Sequence, residues 1–414
     1  MSFDIALSGI QAINESLNTT SQNIANAGTY GYKSLRSNFS SLVSGETQTG
    51  VTVGSTTQFI GKQGGILSTG RALDASINGS GFFISKDPSS GLTEYSRVGI
   101  FDASNEGFLI DAQGRRVQGY PIAAGSSTMG ALGDISIPTG AIPSVGSAKV
   151  SYVGNMSADW TTPLAPFPTP VTAASAPDTN TFNMSKATVV FDTLGGKHTL
   201  TQYFRRNASD PNTVDVNYVL DGASVTGATS STLNFSSTTG ALNTVDGNAA
   251  TTKSIDLSSV VLANGAKLNT VNVDYLGTTG FAGEATTSTN NADGYASGTF
   301  TGIALSSDGS LIASYTNGQK QTVGRLALAT FANEGALTNV SGTSWVESVS
   351  SGSALVNAPG VGVGGNLTTS SLEQSNVDIT SELVGLMTSQ RNYQANSKVI
   401  QTESTMLQSL MQAI

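Results

Sequence analysis

Both ends of the chain carry a seven-residue apolar repeat. Near the start, one set of seam positions is Phe3, Ile10, Leu17 and Ile24, and the alternate set is Ala6, Ile13, Thr20 and Ala27. Such a repeat predicts an α-helix with a coiled-coil seam. We expect this helix to end where Gly28 adopts the left-handed conformation that terminates many helices.

The C-terminal repeat is longer. Its seam positions are Ile379, Leu386, Tyr393, Ile400, Leu407 and Ile414, and its alternate positions are Leu383, Gln390, Ser397, Ser404 and Met411. At 1.5 Å per residue, the predicted helices are about 50 Å long at the C-terminal end and roughly 35 to 40 Å at the N-terminal end.

Polar residues interrupt both seams, at Thr20 and at Gln390, Ser397 and Ser404. An isolated two-stranded coiled coil would bury too little apolar surface there to offset the entropy of ordering. We therefore expect the two ends to become ordered when many copies pack together. A coiled coil between the two ends of one chain is the alternative.

Between the two ends, apolar and polar residues alternate as they do in half-buried strands. Val214, Val216, Tyr218 and Leu220 share one face of such a strand. The pairs Gly195-Gly196 and Asn317-Gly318 each separate two strand-like runs and predict hairpin turns. The middle of the chain is therefore predicted to be β-structure.

At 414 residues, the chain exceeds the size at which single cores usually stop growing. Five of the eleven prolines fall within 163–177, which predicts a loop or a crossing between domains. Boundaries are expected near Ala148 and Gly302 and in the glycine-rich segment 358–366.

The predicted fold is thus mainly β, with discontinuous β domains and long coiled-coil-like helices at both termini, in the order helix, β, β, β, helix. The three predicted parts are residues 1–70 with 364–414, holding the helices and a connector; 71–147 with 302–363, a β domain; and 148–301, an inserted β domain.

Charge and composition exclude several classes of partner. The formal charge is -9, and no cluster of Lys or Arg is present to attract nucleic acid or an anionic membrane. No apolar run approaches the ~18 residues of a membrane span. There is no cysteine, and the N-terminal segment lacks the basic start of an ordinary secretory signal.

The residues that usually carry chemistry are scarce. The single histidine, His198, follows a Gly-Gly turn and is expected to be an exposed strand residue, since no nucleophile-elbow motif accompanies it. Residues 102–107, DASNEG, begin like a calcium loop, but Gln113 stands where the bidentate glutamate is needed, so a hairpin turn is favoured. We predict no catalytic site, no metal and no cofactor.

The segment NIANAGTYGYK, residues 23–33, closely resembles the N-terminal signature of the bacterial flagellar axial family of rod and hook proteins. The matching residues are Asn23, Asn26, Thr29, Gly31, Tyr32 and Lys33. The resemblance extends over roughly the first 145 and last 110 residues, and includes the C-terminal helix from Asn376. Rod members mostly lack a large inserted β domain, so the chain is more similar to hook members.

The resemblance implies a structural subunit of a curved, flexible tube, a universal joint that passes motor torque from rod to filament. The terminal helices would line an inner tube, with the β domains in outer shells. Expected partners are further copies of the chain, the distal rod, the hook cap, the junction proteins and the flagellar export apparatus. The subunit would be extracellular and exported without a cleaved signal peptide. The 23–33 motif would direct the chain out of the inner helix, with Gly28 and Gly31 permitting the turn and the tyrosines packing on neighbours.

Three other interpretations are open. A distal rod or hook-associated subunit would share the terminal signatures. A secreted β-rich adhesin or surface-layer protein would fit the composition but would leave the paired terminal repeats unexplained. A secreted hydrolase would need an Asp/Glu acid-base pair, and the sequence offers no obvious one.

Overall fold

The computed structural model describes residues 2–44, 47–123, 126, 128–172, 175–225, 230–258, 260, 262, 265–341 and 343–412. The chain divides into two compact units. The first comprises Met1–Thr139, Thr301–Ser314 and Lys320–Ile414, and the second comprises Gly140–Phe300 and Tyr315–Gln319. The finer division into three parts stays a prediction.

Both predicted terminal helices are present in the first unit. Helix α1 spans Ser2–Ala25 and helix α2 spans Ile379–Gln412, with 24 and 34 residues. The Asp378 side chain starts α2 by accepting hydrogen bonds from the backbone N–H groups of Thr380 and Ser381 at 3.0 and 3.3 Å. Together with the strands between them, the helices confirm the predicted fold class.

The predicted end of α1 is wrong. The helix ends at Ala25, and Gly28 does not adopt a positive φ; the left-handed residue is Gly31, with φ of 68°. The chain leaves the helix through a tight turn in which the Thr29 N–H donates to the Asn26 carbonyl at 3.0 Å. This turn needs no left-handed residue at position 28. The left-handed residue therefore comes three positions later, at Gly31.

Ten strands follow α1 in the first unit. They are β1 Leu35–Ser44, β2 Thr47–Gln58, β3 Ile66–Ser68, β4 Ala75–Asn78, β5 Phe82–Lys86, β6 Thr93–Ser96, β7 Phe101–Ala103, β8 Leu109–Asp111, β9 Arg116–Pro121 and β10 Gly133–Asp134. Strands β1 and β2 form a separate antiparallel hairpin. Strands β7 and β8 flank DASNEG as a hairpin, which confirms the predicted turn.

The second unit holds the next ten strands. They are β11 Lys149–Asn155, β12 Met184–Phe191, β13 Lys197–Arg206, β14 Thr213–Leu220, β15 Ala223–Ser224, β16 Ser230–Phe235, β17 Leu242–Val245, β18 Thr252–Asp256, β19 Thr270–Asp274 and β20 Thr286–Ala292. A short 3-10 helix covers Thr179–Thr181. One sheet has the order β12-β13-β14-β16-β17, with β15 on β14, and the other has the order β18-β19-β11-β20.

A single apolar cluster joins the two sheets of the second unit. The predicted face of β14 supplies Val214, Val216, Tyr218 and Leu220, all buried. The hydroxyl groups of Tyr218 and Tyr275 lie 2.8 Å apart within this cluster, so its polar atoms are paired. The proline-rich run 163–177 lies in this unit, and its described residues form a loop, as predicted.

The remaining strands belong to the first unit, apart from the end residues Phe300 and Tyr315, which belong to the second. They are β21 Phe300–Leu305, β22 Ser310–Tyr315, β23 Lys320–Leu326, β24 Leu328–Thr330, β25 Thr338–Ser341, β26 Ser344–Val346, β27 Leu355–Asn357, β28 Asn366–Thr369 and β29 Ser371–Glu373, with a 3-10 helix at Glu334–Ala336. The large sheet has the order β21-β22-β23-β9-β5-β6-β26-β25. Its core is built around the fully buried Trp345, with Phe82 and Ile84.

Both predicted glycine hairpin turns are confirmed. Gly195, with φ of 88°, lies between β12 and β13, and Gly318, with φ of 79°, lies between β22 and β23. Positive φ suits glycine because it has no Cβ atom.

The expectation of an exposed His198 is wrong. The residue lies in β13 as predicted, but its side chain is only 14% exposed, because two carboxylates flank it. Nδ1 lies 2.6 Å from Oδ2 of Asp221, and Nε2 lies 3.4 Å from Oδ2 of Asp192. Burial on its own lowers the pKa of His198, but hydrogen bonds to the two carboxylates outweigh it and raise the pKa above its ordinary value.

Candidate assembly surface and terminal junction

Helices α1 and α2 run antiparallel along one another within the chain. A Cβ atom added at Gly9 would lie 3.0 Å from Nδ2 of Asn396, and the hydroxyls of Ser16 and Ser389 lie 3.4 Å apart. Nδ2 of Asn23 donates to Oε1 of Glu382 at 2.9 Å. The three contacts recur every seven residues on both helices, so the line of contact within the chain is made of small and polar side chains.

This contact line is not the predicted apolar seam. Its residues each lie one position before a seam residue. Four seam side chains, and two at alternate positions, are exposed by 39 to 79% in the single chain, namely Phe3, Ile379, Tyr393 and Leu407 in the seam and Leu383 and Met411 at alternate positions. The other described seam residues are less exposed. Five others are half-buried, namely Ile10, Leu17, Ile24, Leu386 and Ile400. Ile414 lies outside the described residues.

The alternate seam positions are also distributed unevenly. Ala6 and Thr20 are buried, whereas Ile13, Ala27 and Ser397 are half-buried and Gln390 and Ser404 are exposed. No described residue of α2 is buried. The seam assignment therefore stays a prediction, and the apolar stripe of α2 is a surface of the single chain.

The β1–β2 hairpin was missed by the sequence reasoning, which treated residues up to 70 as helix and connector. It packs on α1, where the hydroxyls of Thr19 and Ser37 lie 2.6 Å apart. Three of its apolar side chains, Phe39, Leu42 and Val43, are exposed. The alternation in "NFSSLV" was the only local signal, since serine and threonine dominate both strands.

The N-terminal motif begins with a buried amide. The side chain of Asn23 is almost fully buried, and its Oδ1 accepts hydrogen bonds from the Leu35 N–H at 2.8 Å and the Tyr32 hydroxyl at 3.3 Å. Its Nδ2 donates to the Leu35 carbonyl as well as to Glu382. Asn23 therefore links α1 to the start of β1 and to α2.

The next motif residues shape the turn. Nδ2 of Asn26 donates to the Gln22 carbonyl at 2.9 Å, and the Thr29 hydroxyl donates to Oδ1 of Asn26 at 3.2 Å. The Gly31 N–H then donates to the carbonyl of Glu373 at 2.8 Å. A Cβ atom at Gly31 would meet Cγ2 of Val98 at 2.8 Å, so this close approach requires glycine.

The motif ends on a buried lysine. Nζ of Lys33 donates to Oε1 of Glu373 at 2.7 Å and to the Lys62 carbonyl at 2.8 Å. Nη1 of Arg97 lies 3.5 Å from Oε2 of the same glutamate. Burial lowers the pKa of Lys33, and Glu373 opposes that shift; burial likewise lowers the pKa of Arg97 against the same carboxylate.

A second amide reinforces this junction. Oδ1 of Asn376 accepts from the Ser34 N–H at 2.7 Å, and its Nδ2 donates to the Phe59 and Lys62 carbonyls, both at 2.9 Å. The strand that follows α1 is thereby bound to the segment that leads into α2. We name the set Asn23, Gly31, Tyr32, Lys33, Arg97, Glu373 and Asn376 the terminal junction.

The ring of Tyr32 packs within its own chain. Its side chain is buried, and its hydroxyl donates to Oδ1 of Asn23. Burial, and after it the carboxylate of Glu382, raise the pKa of Tyr32 above its ordinary value. The aromatic ring fills the core of the junction.

Within the described ranges, no group of three or more His, Cys, Asp or Glu side chains is arranged to hold a metal ion. Neither α1 nor α2 has a stretch apolar enough to cross a bilayer. The geometry of the junction suits a mechanical role, in which buried polar contacts fix the bases of two helices whose apolar faces are exposed.

Three family models match parts of the chain, and two of the matches overlap at residues 156–158. They describe the flagellar hook protein FlgE/F/G D1 domain over residues 76–158, the flagellar basal body protein FlaE D2 domain over residues 156–295, and the flagellar basal body rod FlgEFG protein C-terminal region over residues 368–413.

Full-length similarity points the same way. Flagellar hook protein FlgE of Escherichia coli strain K12 is 33% identical over 431 residues, covering 99% of both chains. That of Salmonella typhimurium strain LT2 is 32% identical over 419 residues, with the same coverage. The crystal structure of Helicobacter pylori flagellar hook protein FlgE2 has a TM-score of 0.53 at 13% identity, covering 74% of this chain and 100% of that one, which shows a shared fold.

Proposed function

This chain belongs to the flagellar hook protein family, and from that premise we propose that its copies join through their terminal helices into a flexible, curved tube that transmits motor torque from rod to filament. As a member of the family it is a structural subunit of the flagellar hook, and it is located in the flagellum. The surface that we propose to join the copies is formed by the terminal helices.

The observation that carries the proposal is the exposed apolar stripe of α2. Ile379, Leu383, Tyr393 and Leu407 recur along a helix of which no described residue is buried. Burying such side chains contributes about 25 cal/mol per Å² of apolar surface removed from water. In a monomer this surface would remain in water, so association of copies is the arrangement that stabilises it.

The terminal junction supports the proposal in a second way. A tube that carries torque needs each subunit to pass force from its inner helices to its β-structure. In the single chain, the buried Lys33–Glu373 pair and the amide of Asn376 bind the segments next to both helices. These contacts are shielded from water and salt, so they are expected to resist shear better than exposed ion pairs.

Bending needs contacts that exchange easily between subunits. Only 11% of the residues are charged, and Gly, Ser, Thr and Asn dominate the β-structure. Polar interfaces of that kind exchange direct hydrogen bonds for water-mediated ones at small cost. We therefore propose that the β-structure supplies the sliding contacts, while the helices supply the permanent ones.

The remaining partners follow from the place of a hook in the flagellum. We propose that the chain contacts the distal rod at one end of the tube and the junction proteins at the other, that a hook cap guides its assembly, and that the flagellar export apparatus delivers it. We also propose that it has no enzymatic activity, and clear turnover of a polysaccharide would contradict this.

Electron microscopy of basal bodies from a strain that lacks the gene tests the proposal. Rods that end without a hook are the expected result, with hooks restored by the complementing gene. Truncated rods would instead indicate a rod subunit, hooks without filaments would indicate a junction protein, and normal flagella would contradict any required role in the hook.

A further inference from the structure

Helix α2 is longer than its partner, and the excess projects past the start of α1. The contacts Gly9 with Asn396, Ser16 with Ser389 and Asn23 with Glu382 all fit one antiparallel register. Continued to Ser2, that register ends opposite Glu403. Residues 404–412 thus extend beyond the first described residue of α1, and every one of them is exposed. We name residues 404–412 the overhang.

The overhang carries an uncharged apolar stripe. Met406, Leu407, Leu410 and Met411 are spaced to share one side of the helix, and their side chains are 55 to 79% exposed. The other overhang residues are Ser, Thr and Gln, so the segment has no charge. Nothing within the described chain covers this stripe at the end of the helix pair.

A groove whose lining is likewise uncharged lies further along the same helices. It has a volume of about 450 Å³, a floor of small residues at Gly9 and Ala12, and apolar walls at Ile13, Phe39 and Val51. The rest of its lining is partly polar and consists of Ser16, Ser389, Asn392, Ala395 and Asn396. None of the described residues that line the groove is charged, so an apolar occupant would not remove any charged side chain from water.

The overhang cannot fill the groove of its own chain. The overhang is the end of α2, and the groove is lined in part by earlier residues of α2, which is one continuous helix from Ile379 to Gln412. Leu410 is fifteen positions after Ala395, which at 1.5 Å per residue separates them by roughly 22 Å along the axis. Only the overhang of another copy can therefore reach the groove.

We propose that the apolar stripe of the overhang of one copy docks in the groove of a second copy. The groove, with its small-residue floor, accepts long unbranched or γ-branched side chains such as those of Met and Leu. Phe3 and Leu383 are less suitable occupants, because Asp4 adjoins Phe3 and Glu382 adjoins Leu383. This inference rests on the proposed function and identifies the partner surface of the same helices.

The two halves of this contact are different surfaces, so each copy offers one overhang and one groove. Such a heterologous contact does not close by a two-fold axis and instead propagates into a ring or an open helical filament. Repeated overhang-to-groove contacts would thus build a tube with a fixed direction.

Paired cysteines test the contact directly, because the natural chain has none. A chain carrying Phe39→Cys and Leu410→Cys is assembled into tubes and oxidised, and its matched control carries Phe39→Cys and Gln408→Cys. Gln408 belongs to the same overhang but not to the stripe. Since disulfides need Cβ atoms about 4 Å apart, we expect at least about tenfold more covalent multimer from the first chain.

A ladder of multimers is informative because cross-links within one chain cannot produce it. Chains with Leu410→Cys alone should give dimers at most. A second measurement compares tube yield for Leu410→Asp and Gln408→Asp, and the first should lose most of its tubes while the second keeps them. All of these side chains are exposed in the single chain, so the unassembled variants should retain the wild-type circular dichroism spectrum.

The outcomes separate the inference from the proposed function. Tubes that form without a ladder, or with equal ladders from positions 408 and 410, would overturn the overhang contact and leave the hook function standing. Failure of the wild-type chain to form tubes under any assembly condition would overturn the proposed function itself, and the inference with it.

Discussion

Nζ of Lys33 lies 2.7 Å from Oε1 of Glu373, across 340 positions of sequence, and both side chains are inaccessible to solvent. Lys33 follows α1, and Glu373 ends β29 shortly before α2 begins. The pair therefore closes the chain on itself where both helices join the β-structure, and the two helices are held as one element.

Replacing Lys33 by methionine should destabilise the first unit strongly. The substitution keeps the length of the side chain but removes one of the two cations beside the buried Glu373 carboxylate, and breaking a buried ion pair typically costs about 3 to 5 kcal/mol. Urea unfolding followed by the fluorescence of the buried Trp345 reports on this unit, in a Trp160→Phe background that removes the only other tryptophan.

The double variant Lys33→Met, Glu373→Gln tests whether the two charges stabilise the protein through each other. It removes the lysine cation and the carboxylate together, so it should lose less stability than the two single variants summed. Simple additivity of the two losses, or a loss below about 1 kcal/mol for Lys33→Met, would show that the pair does not stabilise the junction.

Substitution by alanine should destabilise the protein at Gly31 but not at Gly28. Gly31→Ala places a Cβ atom at a φ of 68° and 2.8 Å from Val98 Cγ2, and we expect it to cost about 1 to 3 kcal/mol. Gly28→Ala meets no atom within 4 Å and needs no positive φ, so it should be neutral or slightly stabilising. Thermal unfolding of the two variants decides the matter, and equal destabilisation would contradict the assigned turn.

His198 should make the stability of the second unit depend on pH. Because hydrogen bonds to Asp221 and Asp192 raise its folded pKa above the ordinary value of 6.5, the folded state binds the proton more tightly than the unfolded state. The stabilisation is fully present below pH 6.5 and is lost as the pH rises through the folded pKa.

The fluorescence of Trp160, in a Trp345→Phe background, can follow unfolding of the second unit at a series of pH values. The wild-type unit should lose stability as the pH is raised past 6.5, and His198→Gln should lose less over the same range. A pH profile that is unchanged by the substitution would assign the dependence to other groups.

The terminal helices could be predicted because a seven-residue repeat is a local property of the sequence. The side of α1 that meets α2 could not be predicted. It consists of Gly9, Ser16 and Asn23, which carry no hydrophobic signal. The apolar repeat instead marks a surface that stays exposed in the single chain, so periodicity alone does not identify its partner.

Four residues of the terminal junction belong to the motif that the sequence shows, namely Asn23, Gly31, Tyr32 and Lys33, but their partners and geometry could not be predicted. Local propensity allowed either Gly28 or Gly31 to reverse the chain, and the choice depends on Val98 and Glu373, which are distant in sequence. Likewise, a lysine is ordinarily exposed, and only the folded position of Glu373 makes the burial of Lys33 possible. The β1–β2 hairpin was missed because strands rich in Ser and Thr have little apolar alternation.

The central claim, that the exposed apolar positions of α2 join the copies into a hook, is tested most directly by counting hooks on cells that express single variants. Tyr393 is an exposed seam residue, and Gln394 is its exposed neighbour outside the seam. In a strain lacking the gene, electron microscopy should show hooks with the wild-type chain and with Gln394→Asp, but rods without hooks with Tyr393→Asp. Hooks of normal number and length on cells carrying Tyr393→Asp would contradict the claim.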